Sequence, residues 1–313
     1  MKLSEAITLH TQQAGKTDIL ELVPIEIRQD FLSEQYYSEI IDTLPKGDYF
    51  LSDLDGTFFR GMLSQETFSL FSKYIKKRNL LSYDLHELNR FLEDNKYFDI
   101  LEKQAYNKEI DFKLYINAGT FLLFKHKNLI NWKKFLIYLE NNFEKKEKIN
   151  PYRFSFQKMK DVLLAGHNFL FISGAPSFAL EIYLEGVKRY VSREIGSQYA
   201  EKIFAVGSLV DTRKDYSIPL FGPQHKKSFI DLLREKNIII NTVGGMGDTA
   251  SDYGLSQGLD NGNDFYFMNP EEGVFKKYDS LYNPSINYHF LIERKDLILE
   301  LDREKIGIVN LNK

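Results

Sequence analysis

The sequence predicts an α/β protein in which a parallel sheet is interrupted by a long, mostly helical insertion. Short apolar runs have the length and the β-branched or aromatic content of buried strands. These runs are residues 49–51, 167–172, 238–243 and 265–268. Helix patterns lie between them, and strands that alternate with helices are typical of a parallel sheet. From Asp55 to Ser173 is 118 residues, whereas a strand-to-helix loop usually has about two to six, so we expect an inserted domain there.

The chain is predicted to consist of three parts: an extension, a cap domain and a core. Residues 1–47 have the spacing of one helix face and precede the first strand, which predicts a helical extension that serves packing or oligomerisation. Residues 62–155 form the predicted helical cap domain. Residues 48–61 and 156–313 form the predicted α/β core, and alternation over 288–301 predicts a hairpin near its end.

Helix patterns fill the insertion. Three side chains of its first part, Phe68, Phe71 and Ile75, share one helix face. Leu85, Leu88 and Leu92 are predicted to share another. The clearest pattern of the chain runs from Trp132 to Phe143.

Composition excludes several classes of protein. With 313 residues, of which 43% are hydrophobic, the chain can bury a real core. Its net charge of -3 argues against a dedicated binder of nucleic acid or of anionic membranes. It has no cysteine, which excludes disulfides, thiolate metal sites and a cysteine nucleophile. Neither a signal peptide nor an apolar run of membrane-spanning length is visible, so we expect a cytoplasmic protein.

A pair of carboxylates follows the first predicted strand, in the sequence Asp53-Leu54-Asp55-Gly56-Thr57. Gly56 allows the chain to turn, so that both carboxylates can converge on one point. Two anions about 4 Å apart repel by roughly 4 kcal/mol at an effective dielectric constant near 20. Such an arrangement is expected where a cation or a shared proton offsets the repulsion.

The pair has two simpler interpretations, a calcium site and an acidic surface turn. In a helix-loop-helix calcium site that begins at Asp53, the sixth residue would be Gly and the twelfth a Glu. These positions hold Phe58 and Ser64, so that site is excluded. An acidic surface turn stays possible unless partner motifs accompany the pair.

Partner motifs do follow in order. Ser173-Gly174 comes directly after the second strand, and a helix pattern begins soon after it. Lys226-Lys227 lies near the start of a later helix pattern. Gly247-Asp248-Thr249-Ala250-Ser251-Asp252 follows the strand at 238–243. Strand ends of this kind are where open α/β sheets bind ligands.

Taken together, these segments resemble the four motifs of the haloacid dehalogenase superfamily of phosphatases, over roughly residues 50–271. The resemblance implies a Rossmann-like, doubly wound parallel sheet. Arg60-Gly61 after the first motif, Ile172-Ser173-Gly174-Ala175-Pro176 at the second, and Met268-Asn269-Pro270-Glu271 after the fourth are similar to the phosphoserine-phosphatase-like branch. That branch has a helical cap between its first two motifs.

The resemblance also implies roles for individual residues. Asp53 would attack phosphorus and form an aspartyl-phosphate, and Asp55 would act as general acid and then as general base. Ser173 would bind a phosphoryl oxygen, and Lys226 or Lys227 would hold the phosphoryl group. We favour Lys226, because Phe229 and Ile230 then follow it by three and four residues. The remaining substrate-binding candidates are Thr57, Gly174 and Lys227.

The same resemblance implies a Mg²⁺ site. Mg²⁺ prefers hard oxygen ligands and keeps several waters, so a few protein oxygens suffice. Asp53, Asp248 and the main-chain carbonyl of Asp55 would bind the ion, and Asp252 would support it.

The expected function is therefore Mg²⁺-dependent hydrolysis of a small phosphorylated metabolite. Two alternatives stay open: a phosphotransferase of the same fold, and a non-catalytic descendant that binds a phosphorylated ligand or a protein. Retention of both Asp53 and Asp55 argues against the second alternative, since binding alone needs no acid/base residue. The sequence determines neither the substrate nor the oligomeric state.

Overall fold

The computed structural model describes residue 37 and residues 40–77, 85–107, 109, 112–145, 151–211, 216–218, 222–294, 297–302 and 307–310. These residues belong to two compact units. The helical unit contains those in 63–145 and 210–218, and the sheet unit contains those in 30–62, 146–209 and 219–313. Most of the predicted extension, residues 1–47, lies outside the described residues. Among the described residues, no helix is both long enough and apolar enough to span a membrane.

The described strands and helices have the following bounds. The strands are β1 (Gly47–Ser52), β2 (Asn168–Pro176), β3 (Ile203–Asp211), β4 (Tyr216–Ile218), β5 (Ile239–Gly247), β6 (Asp264–Met268), β7 (Asn287–Arg294), β8 (Leu297–Asp302) and β9 (Gly307–Asn310). The helices are α1 (Leu63–Lys77), α2 (Leu85–Tyr106), α3 (Phe112–Lys125), α4 (Trp132–Lys145), α5 (Arg153–Leu164), α6 (Ser177–Ile195), α7 (Ser197–Ala200), α8 (Pro223–Glu235), α9 (Tyr253–Ser256) and α10 (Glu272–Leu281).

A parallel sheet forms the centre of the sheet unit. Strands β3, β2, β1, β5, β6 and β7 are neighbours in that order, and every pair among them is parallel. The chain moves outward from β1 through β2 to β3 on one side, and from β5 through β6 to β7 on the other. Because crossovers between parallel strands are right-handed, the two halves place their helices on opposite faces. The predicted α/β class with a doubly wound parallel sheet is therefore confirmed.

Strand β1 lies at the centre because its residues can be buried on both faces. Tyr49, Phe50 and Leu51 are fully buried, as expected for a continuous apolar run in a parallel sheet. Strand β5 approaches β1 closely where it carries glycine. A Cβ on Gly244 would lie 2.8 Å from the Phe50 ring, and a Cβ on Gly245 would lie 3.0 Å from the carbonyl oxygen of Leu51. This pair of glycines therefore allows the two strands that carry the acidic motifs to be neighbours.

Two antiparallel strands extend the sheet beyond β7. Strand β8 pairs with β7, and β9 pairs with β8. The β7–β8 pair confirms the hairpin predicted at 288–301.

The helical unit has an aromatic core of its own. Phe68, Phe71 and Ile75 of α1 are buried together, as their spacing predicts. The Phe71 ring packs on the rings of Phe91 and Phe135, with centroids 6.3 and 5.6 Å away. In α4, Phe135, Leu139 and Phe143 of the predicted face are buried, and Trp132 at its start is half-buried.

One predicted helix face is wrong. Leu88 of α2 is buried, but Leu85 and Leu92 have 61% and 43% of their surface exposed. The buried face of α2 contains Phe91, Phe98 and Leu101 instead. Large aromatic side chains fill the space against α1 and α3, so the leucines were not the residues that determined the orientation of this helix.

Gly254 allows the helices next to the acidic loop to approach each other. A Cβ on Gly254 would lie 2.0 Å from the carbonyl oxygen of Pro223, at the start of α8. We expect Gly254→Ala to lower the free energy of unfolding by about 1–3 kcal/mol, because backbone must move to admit the methyl group. The measurement is urea unfolding monitored by circular dichroism.

The control is Gly273→Ala in α10. Apart from its neighbours in the same helix, the nearest atom to an added Cβ there would be the Cβ of Ala250, 3.9 Å away. This substitution should leave stability unchanged or raise it by up to about 1 kcal/mol, because alanine favours helix. Equal stability of the two variants would contradict the role assigned to Gly254.

Candidate active site

The first acidic loop begins where β1 ends beside β5. The backbone N–H of Asp53 donates to the carbonyl oxygen of Met246, 3.0 Å away, which fixes the end of β1 against β5. Gly56 then turns the chain with a φ of 74°. A Cβ on Gly56 would be 2.1 Å from Oδ2 of Asp248. Only glycine satisfies both the positive φ and this close approach, so Gly56 lets the two acidic loops touch.

The second acidic loop, which follows β5, folds around the carboxylate of Asp252. Oδ2 of Asp252 accepts hydrogen bonds from the backbone N–H of Asp248 at 3.0 Å and of Thr249 at 2.9 Å. The hydroxyl of Thr249 donates to the same oxygen at 3.0 Å. A Cβ on Gly247 would lie 2.2 Å from the Cβ of Asp252, so the loop needs glycine there. Asp252 therefore holds the loop in the shape that presents Asp248.

Lys226 joins the two loops. It lies in the first turn of α8, and the buried Phe229 and Ile230 fix the helix against the core. The side chain of Lys226 is 2% exposed, and Nζ donates to Oδ1 of Asp53 at 2.6 Å and to Oδ1 of Asp252 at 2.5 Å. Burial acts to lower the pKa of Lys226, but the charges of Asp252 and Asp53 outweigh it and raise that pKa above its ordinary value. The lysine is therefore a fixed positive charge.

Three carboxylates converge on this lysine. Asp53, Asp248 and Asp252 can each place one oxygen within 4.8 Å of the others. Burial raises the pKa of Asp53 to about 8, since the attraction of Lys226 only partly opposes it and the charges of Asp252 and Asp55 add to it. Burial and the charges of Asp252 and Asp53 also raise the pKa of Asp248 well above its ordinary value. One lysine does not neutralise three carboxylates, so the cluster favours a further cation.

The donor set fits Mg²⁺. All candidate ligand atoms are carboxylate oxygens, which this ion prefers. Both oxygens of Asp252 already accept hydrogen bonds from Lys226 and the loop backbone. Asp53 accepts the bond from Lys226 at Oδ1, and Asp248 accepts the bond from Thr57 at Oδ1. Each of these two carboxylates has a second oxygen outside that bond, so Asp53 and Asp248 are the better ligand candidates. This arrangement agrees with a supporting role for Asp252.

The other predicted residues lie around these loops as follows. The hydroxyl of Thr57 donates to Oδ1 of Asp248 at 3.0 Å. Ser173 is buried within β2, near the carboxyl end of the strand, and its Oγ accepts the backbone N–H of Ala175 at 3.0 Å. The carbonyl oxygen of Gly174, which is also in β2, accepts a hydrogen bond from the hydroxyl of Ser208 at 2.9 Å. Strand β2 is the parallel neighbour of β1, with Phe171 opposite Ser52, so Ser173 and Asp53 lie toward the carboxyl ends of adjacent strands.

Asp55 and Lys227 occupy different surroundings. Asp55 is half-buried. Burial raises the pKa of the Tyr183 phenol well above its ordinary value, and the charge of Asp55 raises it further. The same charge adds to the rise in the pKa of Asp53. Lys227 has 37% of its side chain exposed and binds both carboxylate oxygens of Asp231 at 2.7 Å, one turn along α8. The structure therefore brings Lys226 to the acidic loops and does not bring Lys227 there.

Sequence reasoning missed three residues that the structure places near these loops. Tyr183 packs its ring on Phe59, with centroids 5.1 Å apart. Ser208, within β3, donates to the carbonyl oxygen of Gly174 in β2, and Glu293 on β7 binds the side chain of Arg60. No local pattern marks any of them, because each depends on a contact with a residue that is distant in the sequence.

Comparisons with known proteins show the fold. Neither a protein-family model nor a curated protein matches this sequence. A protein of unknown function from Bordetella pertussis Tohama I matches in structure with a TM-score of 0.50 and 13% identity, over 77% of this chain and 97% of that one.

Two weaker similarities involve named enzymes. A phospho-aspartyl intermediate analogue of phosphoserine phosphatase has a TM-score of 0.42 and 14% identity, over 80% of this chain and 95% of that one. A probable phosphoserine phosphatase from Vibrio cholerae has a TM-score of 0.40 and 11% identity, over 78% of this chain and 65% of that one. The chain thus shares its α/β fold with the Bordetella protein.

Proposed function

We propose that this chain is a phosphatase of the haloacid dehalogenase superfamily, which hydrolyses a small phosphorylated metabolite with the help of Mg²⁺. The observation that carries the proposal is the buried Lys226, which binds Asp53 and Asp252 directly beside Asp248. Phosphoryl transfer requires chiefly a positioned nucleophile and fixed positive charge, and this cluster offers both. The four-motif resemblance supports the same reaction.

The proposed reaction has two steps. In the first, a carboxylate oxygen of Asp53 attacks phosphorus, the bond to the leaving oxygen breaks, and Asp55 gives that oxygen its proton. In the second, Asp55 takes a proton from water, and the water oxygen attacks phosphorus and releases Asp53 and phosphate. Lys226 keeps Asp53 oriented and opposes the negative charge that develops on the phosphoryl oxygens. Asp53 and Asp248 would hold Mg²⁺, which would supply further neutralising charge when bound.

The role of the helical unit as a cap over the substrate stays a prediction, and so do the roles of Ser173, Gly174 and Thr57. A phosphotransferase would use the same first step and pass the group to an alcohol instead of water. A screen of phosphorylated metabolites, with phosphate release measured in the presence and absence of alcohol acceptors, distinguishes the two.

The first prediction concerns the nucleophile. Asp53→Asn keeps the shape of the side chain but removes the attacking carboxylate, so p-nitrophenyl phosphate hydrolysis should fall by about 10³-fold or more. The fold should persist, because Lys226 keeps its bond to Asp252 and a buried charge is removed. Asp231→Asn, which alters the surface partner of Lys227, is the control and should keep normal activity. A folded Asp53→Asn protein with normal turnover would refute the proposal.

The second prediction compares the adjacent lysines. Lys226→Met should lower kcat/KM by about 10²-fold or more, since a fixed charge at a developing anion contributes several kcal/mol. Lys227→Met should cost far less, because its ammonium binds Asp231 on the helix surface. Activity is measured per folded protein, with folding followed by circular dichroism. The reverse ranking would show that the charge used in the reaction was assigned to the wrong lysine.

The third prediction concerns Mg²⁺ and pH. Because burial raises the pKa of Asp53 to about 8, the metal-free cluster holds protons that Mg²⁺ must displace. The apparent Mg²⁺ affinity should therefore rise between about pH 6 and pH 8, and binding should release protons. The measurement is the Mg²⁺-induced increase in Tm across this range, with Asp248→Asn as the variant that should lose it. An increase that is the same at all pH values, or larger at pH 6, would contradict the assignment.

A further inference from the structure

A buried carboxylate on β7 binds partners from two distant parts of the sheet unit. Glu293 is 4% exposed and forms an ion pair with the guanidinium of Arg60. Its Oε1 accepts the backbone N–H of Arg153 at 2.8 Å, and its Oε2 accepts that of Phe154 at 2.9 Å. These are the first two residues of α5, where the exposed N–H groups of the helix favour a carboxylate. The backbone N–H of Glu293 in turn donates to the side-chain oxygen of Asn269 at 2.9 Å.

The partners of Glu293 lie on the two chain segments that connect the sheet unit to the inserted helices. Arg60 lies on the outgoing segment, three residues before α1 begins at Leu63. Arg153 and Phe154 lie on the returning segment, which follows the stretch 63–145 of the helical unit. Glu293 therefore binds the segment that leaves the sheet unit and the segment that comes back.

Backbone contacts hold the same two segments side by side. Phe59 and Pro151 form an antiparallel bridge, and the N–H of Tyr152 donates to the carbonyl oxygen of Phe58 at 3.0 Å. The hydroxyl of Ser155 donates to the carbonyl oxygen of Thr57 at 2.7 Å. These bonds join the connecting segments without any charge. Glu293 adds the charged contact that attaches both of them to the sheet.

The outgoing segment is also the turn that carries the proposed acid/base. The N–H of Gly56 lies 3.0 Å from the carbonyl oxygen of Phe59 and 3.2 Å from that of Gly61, the two residues that flank Arg60. Arg60 itself lies over the ring of Tyr152, 4.5 Å from its centroid. Fixing Arg60 thus fixes the carbonyl groups that hold Gly56, and Asp55 is the residue directly before Gly56.

We infer that Glu293 is a positioning residue: through Arg60 and the start of α5, its carboxylate fixes both connections to the inserted helices and holds the turn that carries Asp55. The part that concerns Asp55 rests on the proposed function. The part that concerns the connections does not. The two parts are tested by separate measurements on the full-length protein.

The test variant is Glu293→Gln, which keeps the size of the side chain but loses the charge and turns an N–H₂ group toward backbone donors. The matched control is Asp260→Asn. Asp260 also binds an arginine, Arg234 at 2.9 Å, and a backbone N–H, that of Thr242 at 2.7 Å. It lies beyond the other ends of the strands, away from the acidic loops. Arg60→Met removes the same ion pair from its half-exposed side, and so tests the inference if Glu293→Gln fails to fold.

The first measurement is limited trypsin digestion with mass spectrometry. Glu293→Gln and Arg60→Met should each speed cleavage in the two connecting segments several-fold. In Glu293→Gln, the cleavage rates after Arg60 and after Arg153 are compared with those of the unmodified protein. In Arg60→Met, only the rate after Arg153 is compared, because the other cleavage site is removed. Asp260→Asn should leave these sites as resistant as in the unmodified protein. Equal cleavage rates in all variants would overturn the inference that Glu293 fixes the connections.

The second measurement compares kcat/KM for p-nitrophenyl phosphate and for glycerol phosphate. An aryl leaving group needs little protonation, whereas an alkoxide needs the acid, so loss of Asp55 positioning should affect glycerol phosphate more. We expect Glu293→Gln to lower kcat/KM by about tenfold or more for glycerol phosphate and by about twofold for the aryl ester. A merely structural effect lowers both by the same factor, and that result would overturn the part that concerns Asp55.

A double variant completes the test. If Glu293 acts on the turn through Arg60, the Glu293→Gln, Arg60→Met double variant should lose no more glycerol phosphate activity than the more affected single variant. Additive losses would show that the two side chains act separately, against the inference. If the unmodified protein hydrolyses neither ester, the proposed function fails with the Asp55 part, while the trypsin pattern still decides whether Glu293 fixes the connections.

Discussion

The candidate active site depends on one buried ion pair network, in which Lys226 binds Asp53 and Asp252 together. Removing three charges from water costs several kcal/mol per ion, and only close, well-directed contacts offset that cost. The network therefore requires that the end of β1, the start of α8 and the loop after β5 all lie at fixed positions. It also leaves more carboxylates than positive charges around Asp248, which is an electrostatic reason for the cluster to favour a cation.

Close backbone approach is what permits the network to form. Gly244 and Gly245 let β5 lie close to the Phe50 ring and the Leu51 backbone of β1, Gly56 lets the first acidic loop reach Asp248, and Gly247 leaves room for Asp252. Side chains at these positions would push the two loops apart. Convergence of the carboxylates is thus a property of glycine placement as much as of the acidic residues, and the repulsion between the carboxylates is opposed by Lys226 and by the rigidity of the sheet.

The sequence predicted those features that depend on residues near one another in the chain. Asp53, Ser173 and Asp248 were found because each follows a short apolar strand, and Lys226 was preferred over Lys227 because Phe229 and Ile230 mark the buried face of its helix. Leu85 and Leu92 were misjudged because helix periodicity alone does not say whether leucine or phenylalanine fills a core. Glu293 could not be found at all, since its partner Arg60 is 233 residues away and only the order of strands brings them together.

The position of the insertion places a physical demand on the first acidic loop. The same short segment between β1 and α1 contains Asp55 and leads to the inserted helices. Movement of this segment would therefore also move the proposed acid/base. Hydrogen bonds between the outgoing and returning segments keep the segments together but do not attach them to the sheet. A carboxylate on β7 supplies that attachment through a charged contact to Arg60 and two N–H groups of α5. Because β7 is separated from β1 by β5 and β6, movement of the turn would have to displace a strand that is itself paired on both sides, and this makes the attachment rigid.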